Sequence, residues 1–230
     1  MTALDCQLTL AGGTGTSGTV SAMSVPDSVA PNRRPRPLIS QRAEMQLGAR
    51  HREVLDQLEA RFLQEGFSGF SVRELAAHVG CSRRTLYELA PSKDELVLLV
   101  FDRFLHRVGR AALDSIDATQ SYAVQIRAYS LGGAELQRIT QVFGDDLADE
   151  PAARRLFDRH YGYVMAITEQ LVQRGVAAGE FRPVTPAVVA GLLAGGGQFF
   201  SQPGVQSDTG LGFERAVDEM LELIVRAIQA

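Results

Sequence analysis

The stretch SVRELAAHVGCSRRTLYEL, residues 71–89, reads as two short helices separated by a tight turn. Ser71 and Glu74 have the S-x-x-E spacing of a capping box, in which each side chain satisfies a backbone donor left open by the first helical turn. Val72, Leu75, Ala76 and Val79 follow at helical spacing and make one apolar face. Gly80 comes next, free to take the positive φ that ends a helix. Ser82 is placed to N-cap a second helix. That helix turns Arg83, Arg84, Thr85, Tyr87 and Glu88 outward, with Leu86 and Leu89 inward. Small Ala76, Gly80 and aliphatic Leu86 let the two helices cross closely at a steep angle. This is the pattern of a helix-turn-helix, whose second helix enters the major groove of DNA. Taken alone it also fits a buried helical corner with solvated arginines, so the flanks decide.

Upstream, Arg50 to Gly66 is an amphipathic helix with Val54, Leu55, Leu58, Phe62 and Leu63 on one face. Downstream, Ser92 and Glu95 repeat the S-x-x-E signal and open a helix through Leu96, Leu99, Val100, Phe104 and Val108. Three helices and a connecting fourth, with REVLDQLEARFLQEGFSGFSVRELAAHVGCSRRTLYELAPSKDELV over residues 52–97, closely resemble the tetracycline-repressor (TetR) family of bacterial transcriptional regulators. The likeness is carried by Glu65-Gly66-Phe67, by residues 71–76, by Thr85-Leu86-Tyr87 and by Pro91-Ser92-Lys93. It departs at Leu89 and Ala90, where family members have an aromatic or His and then a Phe. Beyond about fifty residues it thins to helical pattern and a GEFRP run at 179–183.

At 230 residues the chain can bury a sizeable core, and 45% hydrophobic with 22% charged is ordinary for a soluble globular protein. Its two cysteines, Cys6 and Cys81, lie far apart, which argues against a disulfide framework and fits a reducing cytoplasm. Residues 1–40, rich in Gly, Ser, Thr and Pro, read as an unstructured tail. Within it Gly13 to Gly18 satisfies G-x-G-x-x-G, but no strand–turn–helix can surround it, so a dinucleotide site is rejected. A secretory signal is rejected too, since no positive charge precedes the short apolar LTL run. The tail ends in Arg33-Arg34-Pro35-Arg36-Pro37, which is either a solvated linker or an arm for the minor groove. The net charge is −4, but it is uneven. Residues 33–95 hold eleven Lys and Arg against nine acids, and residues 96–230 hold twelve against sixteen. DNA affinity therefore has to come from charges placed at the interface, not from a general positive field. The single lysine, Lys93, begins a helix, where its ammonium and open backbone N–H groups can share one phosphate.

From Thr119 onward the pattern is helical, without strand alternation. It predicts helices at about 119–131, 133–147, 151–178, 185–200 and 211–229. The expected fold class is all-α: a tail (1–40), a helix-turn-helix DNA-binding domain (41–95, motif about 71–90) and a helical ligand-binding and dimerisation domain (96–230). The run 186–200 is nearly uncharged but too short to span a bilayer, so no membrane partner is expected. Its Gly191, Gly195, Gly196 and Gly197 are costly in an isolated helix and suit the close approach of another. The resemblance implies a homodimer through helices at about 185–200 and 211–229. The last of these offers Phe213, Val217, Leu221, Ile224 and Ile228 as its stripe. It also implies a pocket for a small-molecule effector among the middle helices. Tyr129, Phe143, Phe157, Tyr161, Tyr163, Met165 and Phe199 are candidate walls, and His160 a candidate polar anchor.

Catalysis finds little support. His51, His78, His106 and His160 form no HExxH and no Cys/His cluster, so neither a metal nor a cofactor is expected, and no G-x-S-x-G elbow is present. The leading expectation is a cytoplasmic, dimeric DNA-binding transcriptional regulator. It would be a repressor reading a pseudo-palindrome in double-stranded DNA and released by a small molecule. The DNA-contacting set is Ser71, Arg73, Ser82, Arg83, Arg84, Thr85, Tyr87 and Lys93. The paired arginines are expected on base edges, Thr85 and Tyr87 on phosphate or thymine methyl, and Ser71, Arg73 and Lys93 on the backbone. The alternatives are a helical protein that has lost DNA reading and serves protein contacts, or a small-molecule enzyme with a helical core. Outward basic residues at 82–88 favour the regulator, and the missing catalytic constellations disfavour the enzyme.

Overall fold

The computed structural model describes residues 34–133, 136, 146 and 149–230, and among these the chain is all-α. The helices are α1 (Gln41–Gln46), α2 (Ala49–Glu65), α3 (Val72–His78), α4 (Arg83–Leu89), α5 (Lys93–Asp114), α6 (Tyr122–Gly132), α7 (Pro151–Ala177), α8 (Pro186–Phe200), α9 (Pro203–Thr209) and α10 (Phe213–Ile228). Serine starts many of them. Ser40, Ser71, Ser82, Ser92 and Ser121 each accept the backbone N–H three residues on, which removes one orphan donor per helix. None of the described helices is long and apolar enough to cross a membrane.

Two differences from the sequence expectation concern elements. The connection after α8 contains a further short helix, α9, which ends at Gly210 with φ of 67°, so the last helix starts at Phe213. The helix expected at 133–147, with Phe143, lies largely outside the described residues.

The apolar residues form two clusters joined along α5. The first packs Val54, Leu58, Phe62, Leu75 and Leu86 from α2–α4 against Leu96, Val100 and Phe104 of α5, and runs on to Leu136, Ala153, Leu156 and Phe157. Helices α2–α4 therefore share a core with the body of the protein. The second cluster joins Ile126, Ile167, Leu171, Val172, Leu193, Val217 and Leu221 from α6, α7, α8 and α10 around Phe181.

The GEFRP run is the knot of this second cluster. Gly179, at φ of 74°, turns the chain out of α7. Glu180 then caps α6 from a distance, its carboxylate accepting the Tyr122 and Ala123 N–H groups at 2.8 Å each. Arg182 ties down the end of α10, its N–H reaching Ile228 O and its Nε–H reaching Ala227 O, both at 2.8 Å. Phe181 packs against Gly175, so close that a Cβ there would overlap the ring. Gly175→Ala is accordingly expected to cost about 1–3 kcal/mol by overpacking, seen as a thermal midpoint several degrees lower. An unchanged midpoint would mean that the ring moves freely.

Candidate nucleic-acid interface and core cavity

The interface is built on α3 and α4. The capping box at Ser71 and Glu74 is complete. Ser71 N–H donates to Glu74 Oε2 at 2.8 Å, and Glu74 N–H donates to Ser71 Oγ at 3.3 Å. The Ser71 N–H, and after it the Ser71 hydroxyl donating to Glu74 Oε2 at 2.7 Å, hold the Glu74 carboxyl below its ordinary range. Ser71→Ala is expected to cost about 0.5–2 kcal/mol in denaturant unfolding. Gly80 takes φ of 59° between the helices, and Arg50 of α2 clamps this turn, its Nη2 donating to Val79 O at 2.9 Å and Gly80 O at 2.7 Å. Leu86 is buried and fixes the inward face of α4, while Leu89 is half-buried and Ala90 buried where the family likeness departs.

The outward face carries the expected groups. Arg83 is exposed, the Arg84 side chain is 89% exposed, and Tyr87 is 51% exposed. Arg84 is steered by Glu88, Nε to Oε1 at 3.2 Å, and Glu88 Oε2 also lies 3.4 Å from His51 Nε2. Ser82 and Thr85 pair hydroxyl to hydroxyl at 3.0 Å as part of the α4 cap. Arg73 is exposed on α3. Lys93 sits at the start of α5 with its Nζ donating to Ser68 O at 3.0 Å, so its ammonium already has one partner. Cys81, in the turn, is half-buried, and burial raises its thiol pKa.

Sequence reading missed the link beneath this platform. Asp146 is 7% exposed. It accepts the Phe67 N–H at 2.5 Å and a short bond from Ser68 Oγ–H, bridging the body to the loop between α2 and α3. Gly66 makes room for it, at a φ of 76° that disfavours a side chain. The end of the tail is described from Arg34 onward. The segment from Arg34 lies on α5, with Leu38 N–H donating to Asp102 Oδ2 at 2.8 Å.

A cavity of about 70 Å³ lies between α5, α6, α7, α8 and α10, several times the space one water needs. Tyr129, Phe157, Tyr161 and Met165 line it, together with Tyr163 and His160. Phe199 does not: it is 51% exposed on the outer side of α8, and the adjacent Gln198 takes its place. The walls are mostly apolar, and burial raises the phenol pKa of Tyr129, Tyr161 and Tyr163. The Tyr163 hydroxyl has no hydrogen-bond partner among the described residues.

The outer faces of α8 and α10 are asymmetric. Val188, Leu192 and Phe199 are exposed along α8, next to Gly191 and Gly195, which face open space. Gly196 and Gly197 behave differently: Gly196 packs against the Met220 sulfur of α10, and Gly197 is buried. The stripe expected on α10 turns mainly inward. Val217, Leu221 and Ile228 are buried in the second cluster, Phe213 and Ile224 pack against it, and Leu223 is the apolar residue left outward. Asp102, His106 and His160, separate in the sequence, are brought together at the cavity wall.

Residues 54–100 match the sequence model of the bacterial regulatory proteins of the tetR family. Comparison with curated proteins finds no match. The fold is similar to a TetR-family transcriptional regulator from Rhodococcus sp. (17% identity, TM-score 0.67, covering 80% of this chain and 100% of that one). It is also similar to a TetR-family regulator from Cytophaga hutchinsonii (19%, 0.64, 80% and 98%). A third similar structure is the transcriptional regulator FadR from Bacillus subtilis in complex with stearoyl-CoA (14%, 0.64, 78% and 100%).

Proposed function

We propose that this chain, whose residues 54–100 match the tetR-family model, is a cytoplasmic transcriptional regulator that binds a pseudo-palindromic operator as a homodimer. The observation that carries this reading is the face of α4: adjacent Arg83 and Arg84 with Tyr87 stand outward on a helix whose other face is sealed into the core. Guanidinium forks suit the O6/N7 edge of guanine, and Tyr87 and Thr85 suit phosphate or a thymine methyl. Ser71, Arg73, Ser82 and Lys93 would hold the DNA backbone, Lys93 exchanging its Ser68 carbonyl for a phosphate. The second copy would dock on the α8 face bearing Val188, Leu192 and Phe199, with Leu223 of α10 beside it.

The cavity supports repression relieved by a mostly apolar effector with one hydrogen-bonding group to meet the Tyr163 hydroxyl. Its walls include Leu105, Val108 and Gly109 of α5, the helix that begins beneath α4. An effector that spreads α5 from α7 would change the spacing of the two α4 helices in the dimer, and DNA affinity would fall through differential binding to two states.

The test is a gel shift with DNA upstream of the protein's own reading frame, in excess non-specific competitor and at two salt concentrations. A retarded complex that survives competition is expected. Binding no tighter than to random DNA at either salt would sink the regulator reading on that target.

A further inference from the structure

We propose that Asp102, His106 and His160 bind one divalent first-row transition-metal ion of the zinc type, in the wall between the core cavity and the surface hollow beside Arg34–Pro37. Asp102 and His106 are one turn apart on α5 and project from the same side of it, and His160 meets them from α7. One ligand atom from each lies within 4.8 Å of the other two. Asp102 and His160 are 1% and 6% exposed. Asp102 Oδ1, His106 Nε2 and His160 Nε2 are all buried and have no hydrogen-bond partner among the described residues. Three orphaned polar atoms in one place call for a common partner.

The spacing favours an ion over a proton. Asp102 Oδ1 and His106 Nε2 are 3.6 Å apart, too far for a good hydrogen bond. That separation is close to the roughly 3.4 Å edge of a tetrahedron drawn with bonds of about 2.0–2.1 Å. A proton shared by two of the three atoms leaves the third unsatisfied, whereas one ion satisfies them all.

The surrounding bonds already orient the ligands. His160 Nδ1 lies 3.0 Å from Leu156 O, which draws the ring proton to Nδ1 and leaves the Nε2 lone pair free. The Leu38 N–H holds Asp102 by Oδ2 and leaves Oδ1 open. Burial pushes the pKa of both histidines down, helped at His106 by Arg110 and Arg34.

Two imidazoles and one carboxylate select zinc, cobalt or nickel over magnesium or calcium. The hollow lined by Arg34, Arg36, Glu44 and Arg110 gives a way in. Its arginines oppose a dication and so weaken binding, and they attract an anion to the remaining coordination position.

The experiment uses the full chain without an affinity tag, stripped with a chelator and titrated with Co²⁺ and Zn²⁺ in the absence of DNA. One Co²⁺ per chain with visible ligand-field bands is expected, displaced by Zn²⁺, and Zn²⁺ should raise the thermal midpoint by several degrees. His106→Gln and His160→Gln should each weaken binding by roughly a hundredfold. X-ray absorption of the zinc-loaded wild-type protein should show two imidazoles and no sulfur, a result that requires no variant to fold. No stoichiometric binding, affinity unchanged in both folded variants, or a sulfur ligand from Cys81 would each overturn the site. The titration does not involve α4, so its outcome is independent of the DNA-reading proposal.

Discussion

The double substitution Arg83→Ala, Arg84→Ala should remove sequence-selective DNA binding while leaving the protein folded. Each guanidinium paired with a guanine edge is worth about 1–3 kcal/mol of discrimination, or roughly fivefold to over a hundredfold. The stability cost should be small. Arg84 meets Glu88 in an exposed i,i+4 pair, and such pairs contribute at most a few tenths of a kcal/mol. Arg83 is exposed at the first position of α4, and the α4 cap rests on Ser82 and Thr85 instead. Fluorescence anisotropy at fixed salt, with operator and scrambled duplexes, separates the terms. The variant should lose most of the difference between the duplexes, and its weaker general binding should show a shallower salt dependence. If the preference for the operator survives intact, base reading lies elsewhere on the surface.

The second large effect is expected at Asp146. Asp146→Ala strips the acceptor from two donors, the Phe67 N–H and the Ser68 hydroxyl, one of them buried. Leaving a buried donor unsatisfied costs about 1–3 kcal/mol, and the pair together with the lost packing should cost about 2–4 kcal/mol in denaturant unfolding. Operator affinity should fall as well, because the α2–α3 loop loses its tie to the body and α3–α4 is held less firmly. Asp146→Asn keeps one acceptor oxygen and should recover part of both losses. A destabilisation under about 0.5 kcal/mol for the alanine variant would show that the loop is held by its apolar contacts alone.

The contrast between Arg83 and Asp146 marks where the sequence was legible. The helix-turn-helix declared itself through short-range signals: Ser71 and Glu74 three apart, Gly80 at a positive φ, Leu86 facing in. The tertiary ties did not. Asp146 lies 79 residues from Phe67, and Arg50 reaches the α3–α4 turn across 29 and 30 residues. Spacing carries no record of such partners. Asp102 and His106 do carry the i,i+4 signal of a shared helix face, but their third member comes from α7. The stripe on α10 illustrates a different limit. Helical spacing reports that one face is apolar, not which neighbour it meets, and here Val217 and Leu221 meet the core of the same chain. Phe199 was misplaced for the same reason, since it shares a helix with wall residues but faces away from them.

Because Lys93 is the chain's one lysine and its ammonium rests on the Ser68 carbonyl, amine chemistry can address a single side chain where α5 begins, against the loop between α2 and α3. Acylation there would erase that positive charge and add bulk beside α3. Its rate, followed by mass spectrometry alongside the terminal amine, would track how often the Lys93–Ser68 bond opens.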